Sequence, residues 1–401
     1  MELKHAYQPR PNRDEQAKKS FARTLRRHVL TTMAGKLRNQ YDERVEPAYR
    51  ARHGESPTDG PTVHKLMKRE RAFRFYSAAR VNAQEMVYGS VIPTVERSLD
   101  AINTAAADAR TEAASTGGTL TLNSAVDVPR SVTAVDVHRT PGGYTGERSD
   151  DDVTQGLVYD QAMDVFAFGQ FGEDYNDIGM TVANYVRLKY PHLNPQRILD
   201  CGCTVGHNTL PWAQTFPSAE VQAIDVAAPV LRYAHTRAQT YGVPVHFRQM
   251  NAAQLDYDDA SFDVVFSSMF LHELPLADIR AYLAEAFRVL KPGGLLINME
   301  LPPNARMGAY ESFYLDWDCY YNNEPYYKTF RDQDYQELCT SAGFAAEQFL
   351  EVTLPRYTFV GEDAFRDALD APTRFDSQTG RMDPKGTRWY VFGAFKNPTG
   401  A

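Results

Sequence analysis

The chain has 401 residues, of which 43% are hydrophobic and 23% charged, the balance of a globular protein rather than a disordered or fibrous one, and its length allows two domains. The formal charge is -8, yet over the first 80 residues lysine and arginine outnumber aspartate and glutamate by about two to one. That asymmetry is compatible with an arm on nucleic acid or anionic lipid. No DNA- or RNA-binding motif accompanies it, however, and the basic residues are spread around helical faces, which favours a solvated helical surface.

The four cysteines, Cys201, Cys203, Cys319 and Cys339, lack the paired CxxC spacing of structural zinc, so no metal is expected and a reduced setting is. The N-terminal stretch has no apolar signal core and no uncharged apolar run approaches a membrane span. The expectation is a soluble, cytoplasmic protein with no membrane partner.

From Ser20 to about Asp108 the chain reads as helices, interrupted by a loop from His53 to Pro61 that contains Gly54, Pro57, Gly60 and Pro61. Phe73, Tyr76, Val81, Met86, Val87 and Val91 support a helix that Pro93 should kink or break. Gly117 and Gly118 then open alternating β-branched and polar residues up to His138, followed by Pro141, Gly142, Gly143 and a charged run to Asp152. This predicts a short strand or two and a linker, with a boundary near Asp150. Residues 1–150 would form a mainly helical domain, as a substrate lid or a dimerisation unit, and 151–401 a second domain.

After Val153 strands and helices alternate. A helix at Val182–Tyr190 precedes the strand Arg197–Asp200, a glycine turn and a helix from about Asn208. Strand Glu220–Asp225, helix Pro229–Tyr241, strands Val245–Gln249 and Phe262–Ser267, helix Leu276–Leu290 and strand Gly294–Glu300 follow. Such alternation implies an α/β fold, with a parallel sheet covered on both faces and a ligand at the C-terminal strand ends.

The run ILDCGCTVGHNT, Ile198 to Thr209, takes an apolar strand into an acid and through Gly202 and Gly206 into a helix, a turn that lets backbone approach a ligand. The next strand ends at Asp225, about 25 residues on, where an acid can take both hydroxyls of a ribose. Asn251 follows the third strand, where an amide can read an adenine edge. FRVLKPGGLLI, Phe287 to Ile297, adds a helix end, a Lys-Pro-Gly-Gly turn and an apolar strand.

On these residues the stretch from about Ile198 to Pro302 resembles the cofactor core of the class I, Rossmann-like, seven-stranded S-adenosylmethionine-dependent methyltransferases, particularly the branch acting on small molecules. The likeness extends more loosely to about Lys396 through a helix Asp332–Ser341, a strand near Glu347–Leu354 and a last strand Trp389–Phe395. It implies a mostly parallel sheet whose last strand is antiparallel, S-adenosyl-L-methionine as cofactor and a small-molecule acceptor. Asp200 and Gly202 match the acid and first glycine of the motif holding the methionine moiety, with Cys203, Thr204 and Gly206 completing the turn. Asp225 and Val226 match the ribose side, Asn251 and Ala252 the usual Asp-Ala pair beside the adenine, and Ser267, Ser268, Met269 and Phe270 the strand end at the reaction site. Thr204 departs from the middle glycine and narrows the turn, while Asn251 replaces an acid and keeps a donor and an acceptor.

His272 in SMFLHEL is the candidate general base, suited by an ordinary pKa of about 6.5, with Glu273 as a second candidate; the alternative is that His272 caps the next helix or contacts the cofactor. Two aromatic segments can cover an acceptor. Tyr159 to Tyr175 includes Tyr159 and Phe171; Tyr310 to Phe330, an insertion near 304–330, includes Tyr310, Tyr314, Trp317 and Tyr321. Both can equally pack as core against the N-terminal helices. Pro355 to Gly386 reads as a polar surface excursion.

Three other readings stay open. A protein can bind the cofactor without transferring its methyl, and a nucleic-acid methyltransferase can use the basic helices. No Asn-Pro-Pro-Tyr loop follows the fourth strand, however, and a nicotinamide dehydrogenase lacks its G-x-G-x-x-G fingerprint here. A homodimer through the N-terminal helices is a further expectation.

Overall fold

The computed structural model describes residues 9–112, 117–370 and 388–397. Its centre is one sheet of eight strands: β1 (Thr119–Thr121), β2 (Arg197–Cys201), β3 (Glu220–Asp225), β4 (His246–Gln249), β5 (Phe262–Ser268), β6 (Leu290–Glu300), β7 (Phe349–Pro355) and β8 (Arg388–Phe395). Their order is β1-β4-β3-β2-β5-β6-β8-β7. β8 runs antiparallel between β6 and β7, while the pairings from β1 through β6 are parallel.

The apolar runs read as strands alternate between two buried layers. Ile198, Val264 and Leu295 belong to the core on one face, and Leu199, Val265 and Leu296 to the core on the other. Side chains that alternate and are buried on both sides leave no solvent face, as a parallel sheet sandwiched by helices requires. The eighth strand, β1, lies beside β4 through Thr119↔His246 and Leu120↔Phe247, so a short piece from the interval before position 150 extends the same sheet.

Pro93 does not end its helix, which runs unbroken from Arg71 to Arg97. The carbonyl that proline leaves unpaired belongs to Gly89, an exposed residue, and a carbonyl there has access to water. The expected surface excursion after Pro355 is also different: Tyr357–Asp370 is a helix whose Phe365 is fully buried, docked through the Tyr357 amide on Thr181 Oγ1 at 3.0 Å. Residues 371–386 of that excursion lie outside the described residues.

The N-terminal helices sit against the sheet domain. The helix Arg13–His28 starts with a reciprocal capping box between Asn12 and Glu15 and meets the helix Thr154–Ala167 through Arg26 Nε on the Phe166 carbonyl at 2.8 Å. One apolar cluster joins Ala22, Val87 and Val91 to Leu157, Val158, Val230 and Tyr233 across position 150. Much of the early basic excess is used internally. Arg80 pairs with Asp318 at 2.6 Å, Lys19 with Asp164 at 3.5 Å and Arg38 with Asp42 at 2.7 Å, which leaves less of it for an external polyanion. Among the described residues no helix is long and apolar enough to cross a membrane, and no group of three His, Cys, Asp or Glu is placed to hold a metal ion.

Candidate functional site

At the C-terminal ends of β2, β3 and β4 the chain leaves a cleft. Gly202, at φ 74°, turns the chain after β2, and the amides of Gly202 and Cys203 donate to the Ile224 carbonyl at 2.9 and 3.0 Å. A Cβ at Gly202 would lie 2.3 Å from the Phe270 ring, so only glycine fits the contact. Thr204 adopts φ 49°, a conformation that costs a β-branched residue of order 1–3 kcal/mol. Its amide donates to Asp225 Oδ2 at 3.0 Å, while Ala227 N donates to Oδ1 at 2.9 Å. The narrowing expected of Thr204 is thus a left-handed residue held by the acid of the neighbouring strand.

Asp200, Gly202, Cys203, Thr204, Asp225, Val226, Ser268, Met269, His272, Glu273, Tyr159 and Phe171 line one cavity. Asn251 and Ala252 line a second, which shares Gly202, Asp225, Val226 and Phe270 with the first. The two are therefore lobes of one cleft over three strand tips. Asn251 Oδ1 accepts from Ala253 N at 2.9 Å, which turns the chain under the second lobe.

Six of the residues singled out from the sequence do not line either lobe. Gly206 lies against Phe247 beneath the turn, and Ser267 is buried with its hydroxyl donating to Asn298 Oδ1 at 2.7 Å. Tyr310, Tyr314, Trp317 and Tyr321 follow the core alternative: their helix, Ala309–Tyr321, packs on the N-terminal helices. Gly60 makes the approach possible, since a Cβ there would lie 2.8 Å from Phe313 N. Trp317 packs against Phe73 and Tyr76 with tilted rings, Tyr76 and Tyr314 share a hydroxyl contact of 2.6 Å, and Tyr310 and Tyr314 also border a separate surface groove.

The side of the cleft that follows β5 holds groups that the sequence alone did not bring together. His272 is buried, with Nδ1 2.6 Å from Glu300 Oε2, and Oε1 of Glu300 accepts the amides of Phe270 and Leu271 at 2.7 and 2.6 Å. Burial opposes the charge on His272, but Glu300 outweighs it and raises the pKa to about 8. His138 bridges Glu273, 3.2 Å from Nε2, and Glu324, 2.9 Å from Nδ1. Against burial, those carboxylates lift its pKa well above the ordinary histidine value. Glu324 in turn is held down at about 2, the His138 charge overcoming desolvation. A third imidazole, His207, has Nε2 2.7 Å from Asp160 Oδ1, and Tyr233 donates to Asp160 Oδ2 at 3.0 Å.

Backbone strain gathers at the same place. Among the described residues eight non-glycine residues have positive φ; His138, Tyr175, Thr204 and Met269 line the larger lobe, Arg139 and Asn323 adjoin His138 and Glu324, and Phe168 lies two residues from Phe166, which also lines it. Only Ala260 lies elsewhere. Conformations that are costly at random positions persist where function demands a geometry, so this clustering marks the cleft independently of its motifs. At the strand tips, burial raises Asp200 to about 7, tempered by the Thr209 hydroxyl at 2.5 Å, and raises Asp225 to about 6 despite its two backbone donors.

Residues 198–294, which carry all three strand tips, match the methyltransferase domain family, and β8 runs antiparallel beside β6, as the resemblance implies for the last strand. Over 120 residues the chain is 36% identical to the demethylmenaquinone methyltransferase of Thermus thermophilus, a match covering 30% of this chain and 53% of that relative. The corresponding enzyme of Deinococcus radiodurans is 33% identical over 112 residues, covering 28% and 46%. The malonyl-(acyl-carrier protein) O-methyltransferase of Hahella chejuensis is 39% identical over 103 residues, covering 26% and 36%. The chain thus spans about half or less of the length of these curated relatives.

Proposed function

We propose that the protein is an S-adenosylmethionine-dependent methyltransferase that moves a methyl group to a small-molecule acceptor. The observation that carries this reading is the convergence of Gly202, Asp225 and Asn251, from three neighbouring strand tips, on one two-lobed cleft. The residues present fit the cofactor. Buried Asp200 and half-buried Asp225 suit a cationic methionine moiety and a ribose, the positive-φ Gly202 gives the backbone a close approach, and Asn251 and Ala252 border a lobe for the adenine. When bound, S-adenosylmethionine supplies a methyl group already activated by its sulfonium.

What the chain must add is position and a proton acceptor. Holding an acceptor in line with the methyl is worth roughly 7–11 kcal/mol of barrier. Tyr159, Phe171 and Tyr175 wall the acceptor lobe, excluding water and presenting ring faces that suit a nearby cation. His272 lines the same lobe with Nδ1 committed to Glu300, so Nε2 is the atom to take a proton from the acceptor. Segments from before position 150, through His138 and Tyr144, close the acceptor side.

The direct test is to incubate the purified chain with labelled S-adenosylmethionine and a panel of small acceptors and to follow S-adenosylhomocysteine. Tight binding without any demethylated product would leave a binding protein, and no binding would remove the reading. Two further outcomes are expected. Gly202→Ala puts a Cβ into Phe270 at a positive φ, so it should lower stability by about 1 kcal/mol or more and weaken cofactor binding, read by denaturant melts and calorimetry. In the free protein Asp200 and Asp225 are partly protonated near neutral pH. A cationic ligand favours their charged forms, so binding should release protons and tighten as pH rises through about 6 to 7. Calorimetry in two buffers of different ionisation enthalpy measures that release, and an affinity flat across this range would sink the assignment of these carboxylates.

A further inference from the structure

The short turn Leu271–Glu273 delivers two consecutive side chains, His272 and Glu273, to the acceptor lobe. Glu273 is the more elaborately held of the two. Its Oε1 takes the Tyr144 hydroxyl at 3.0 Å and His138 Nε2 at 3.2 Å, and two donors on one oxygen fix the plane of the carboxylate while Oε2 is left to a ligand. His138 has both ring nitrogens engaged, by Glu273 and Glu324, so it serves neither as a base nor as a hydrogen-bond partner for substrate. It stands at φ 55°, followed by Arg139 at φ 60°, and Gln84 Nε2 fixes its carbonyl at 2.8 Å. Burying a carboxylate–imidazolium–carboxylate row on a strained backbone is a poor way to fill space, since apolar residues of like volume stabilise as well or better. The arrangement orients Glu273.

Resting on the methyl-transfer reading, we propose that Glu273 anchors a second hydroxyl of the acceptor, which is an aromatic ring bearing at least two hydroxyl groups. One hydroxyl faces His272 Nε2 and loses its proton there as its oxygen takes the methyl, the methyl–sulfur bond of the sulfonium breaking to leave S-adenosylhomocysteine; the other donates to Glu273 Oε2 and stays intact. Tyr144, Tyr159, Phe166 and Phe171 border the lobe and give a planar ring offset-stacked or edge contacts. Two polar anchors on neighbouring residues, set among aromatic walls, match two polar substituents on one ring.

The test is calorimetric binding of 1,2-, 1,3- and 1,4-dihydroxybenzene and of phenol to the full chain saturated with S-adenosylhomocysteine. At least one dihydroxy isomer is expected to bind about tenfold tighter than phenol, the worth of one charge-assisted hydrogen bond. Glu273→Gln should shrink that margin severalfold. Equal affinities for phenol and all three isomers would overturn the proposal, as would a full margin in Glu273→Gln. The wild-type comparison decides the matter even if the variant does not fold. Failure of S-adenosylhomocysteine itself to bind would overturn the methyl-transfer reading beneath it, and that outcome is seen first and separately.

Discussion

Replacing His272 by alanine is expected to lower kcat about 10²- to 10⁴-fold while leaving the affinity for the cofactor near its original value, because a positioned base contributes that much and the residue lies on the acceptor side of the cleft. The pH profile supplies the sharper check. With its pKa raised to about 8 by Glu300, His272 is mostly protonated at pH 7 and becomes a competent base only as pH rises. Turnover should therefore climb through about pH 8 and level off above it. The groups facing the ring, Glu300, Glu324, Glu273 and the edge-on Tyr327, all support the charged form or leave it alone. The linked stability effect has the opposite sense. A histidine raised from 6.5 to about 8 adds stability that is complete below pH 6.5 and is lost as pH passes 8. Unchanged turnover in the alanine variant would remove His272 as the base.

The second large effect belongs to Glu300. Its side chain is fully buried, and truncation to alanine strands the imidazole and two backbone amides at once. Breaking a buried charged pair in this way costs about 3–5 kcal/mol, so Glu300→Ala should unfold at clearly lower denaturant. Glu300→Gln keeps acceptors for the amides but removes the charge. Burial then weighs more heavily at His272, its pKa falls below about 8, and the midpoint of the turnover profile moves down. A purely structural glutamate would leave that midpoint in place.

The sequence made the strand tips readable because each is a local pattern. Strand patterns that stop at Asp200, Asp225 and the residue before Asn251 need no knowledge of distant partners, and a glycine two residues after an acid announces a turn. His138 had no such signature. It stands just before a Pro-Gly-Gly stretch that resembles linker, and its role appears only when Glu273 and Glu324 arrive from far along the chain. Glu300 was visible as the acid ending its strand, yet nothing local tied it to His272. The aromatic helix Ala309–Tyr321 shows the limit most clearly, because rings suit a ligand wall and a core equally. Long-range contacts decided it, through the Arg80–Asp318 pair and the close approach at Gly60. β1 escaped its full meaning for a related reason: three residues carry little periodicity, and their place beside β4 is a tertiary fact.

The apolar cluster that runs from Ala22, Val87 and Val91 into Leu157, Val230 and Tyr233 ties the early helices to the cofactor core thermodynamically. Cutting the chain near position 150 would bare that seam on both fragments and also strip the outer strand from the sheet. A fragment starting at 151 should consequently aggregate or bind hydrophobic dyes, and the intact chain should melt in one cooperative step.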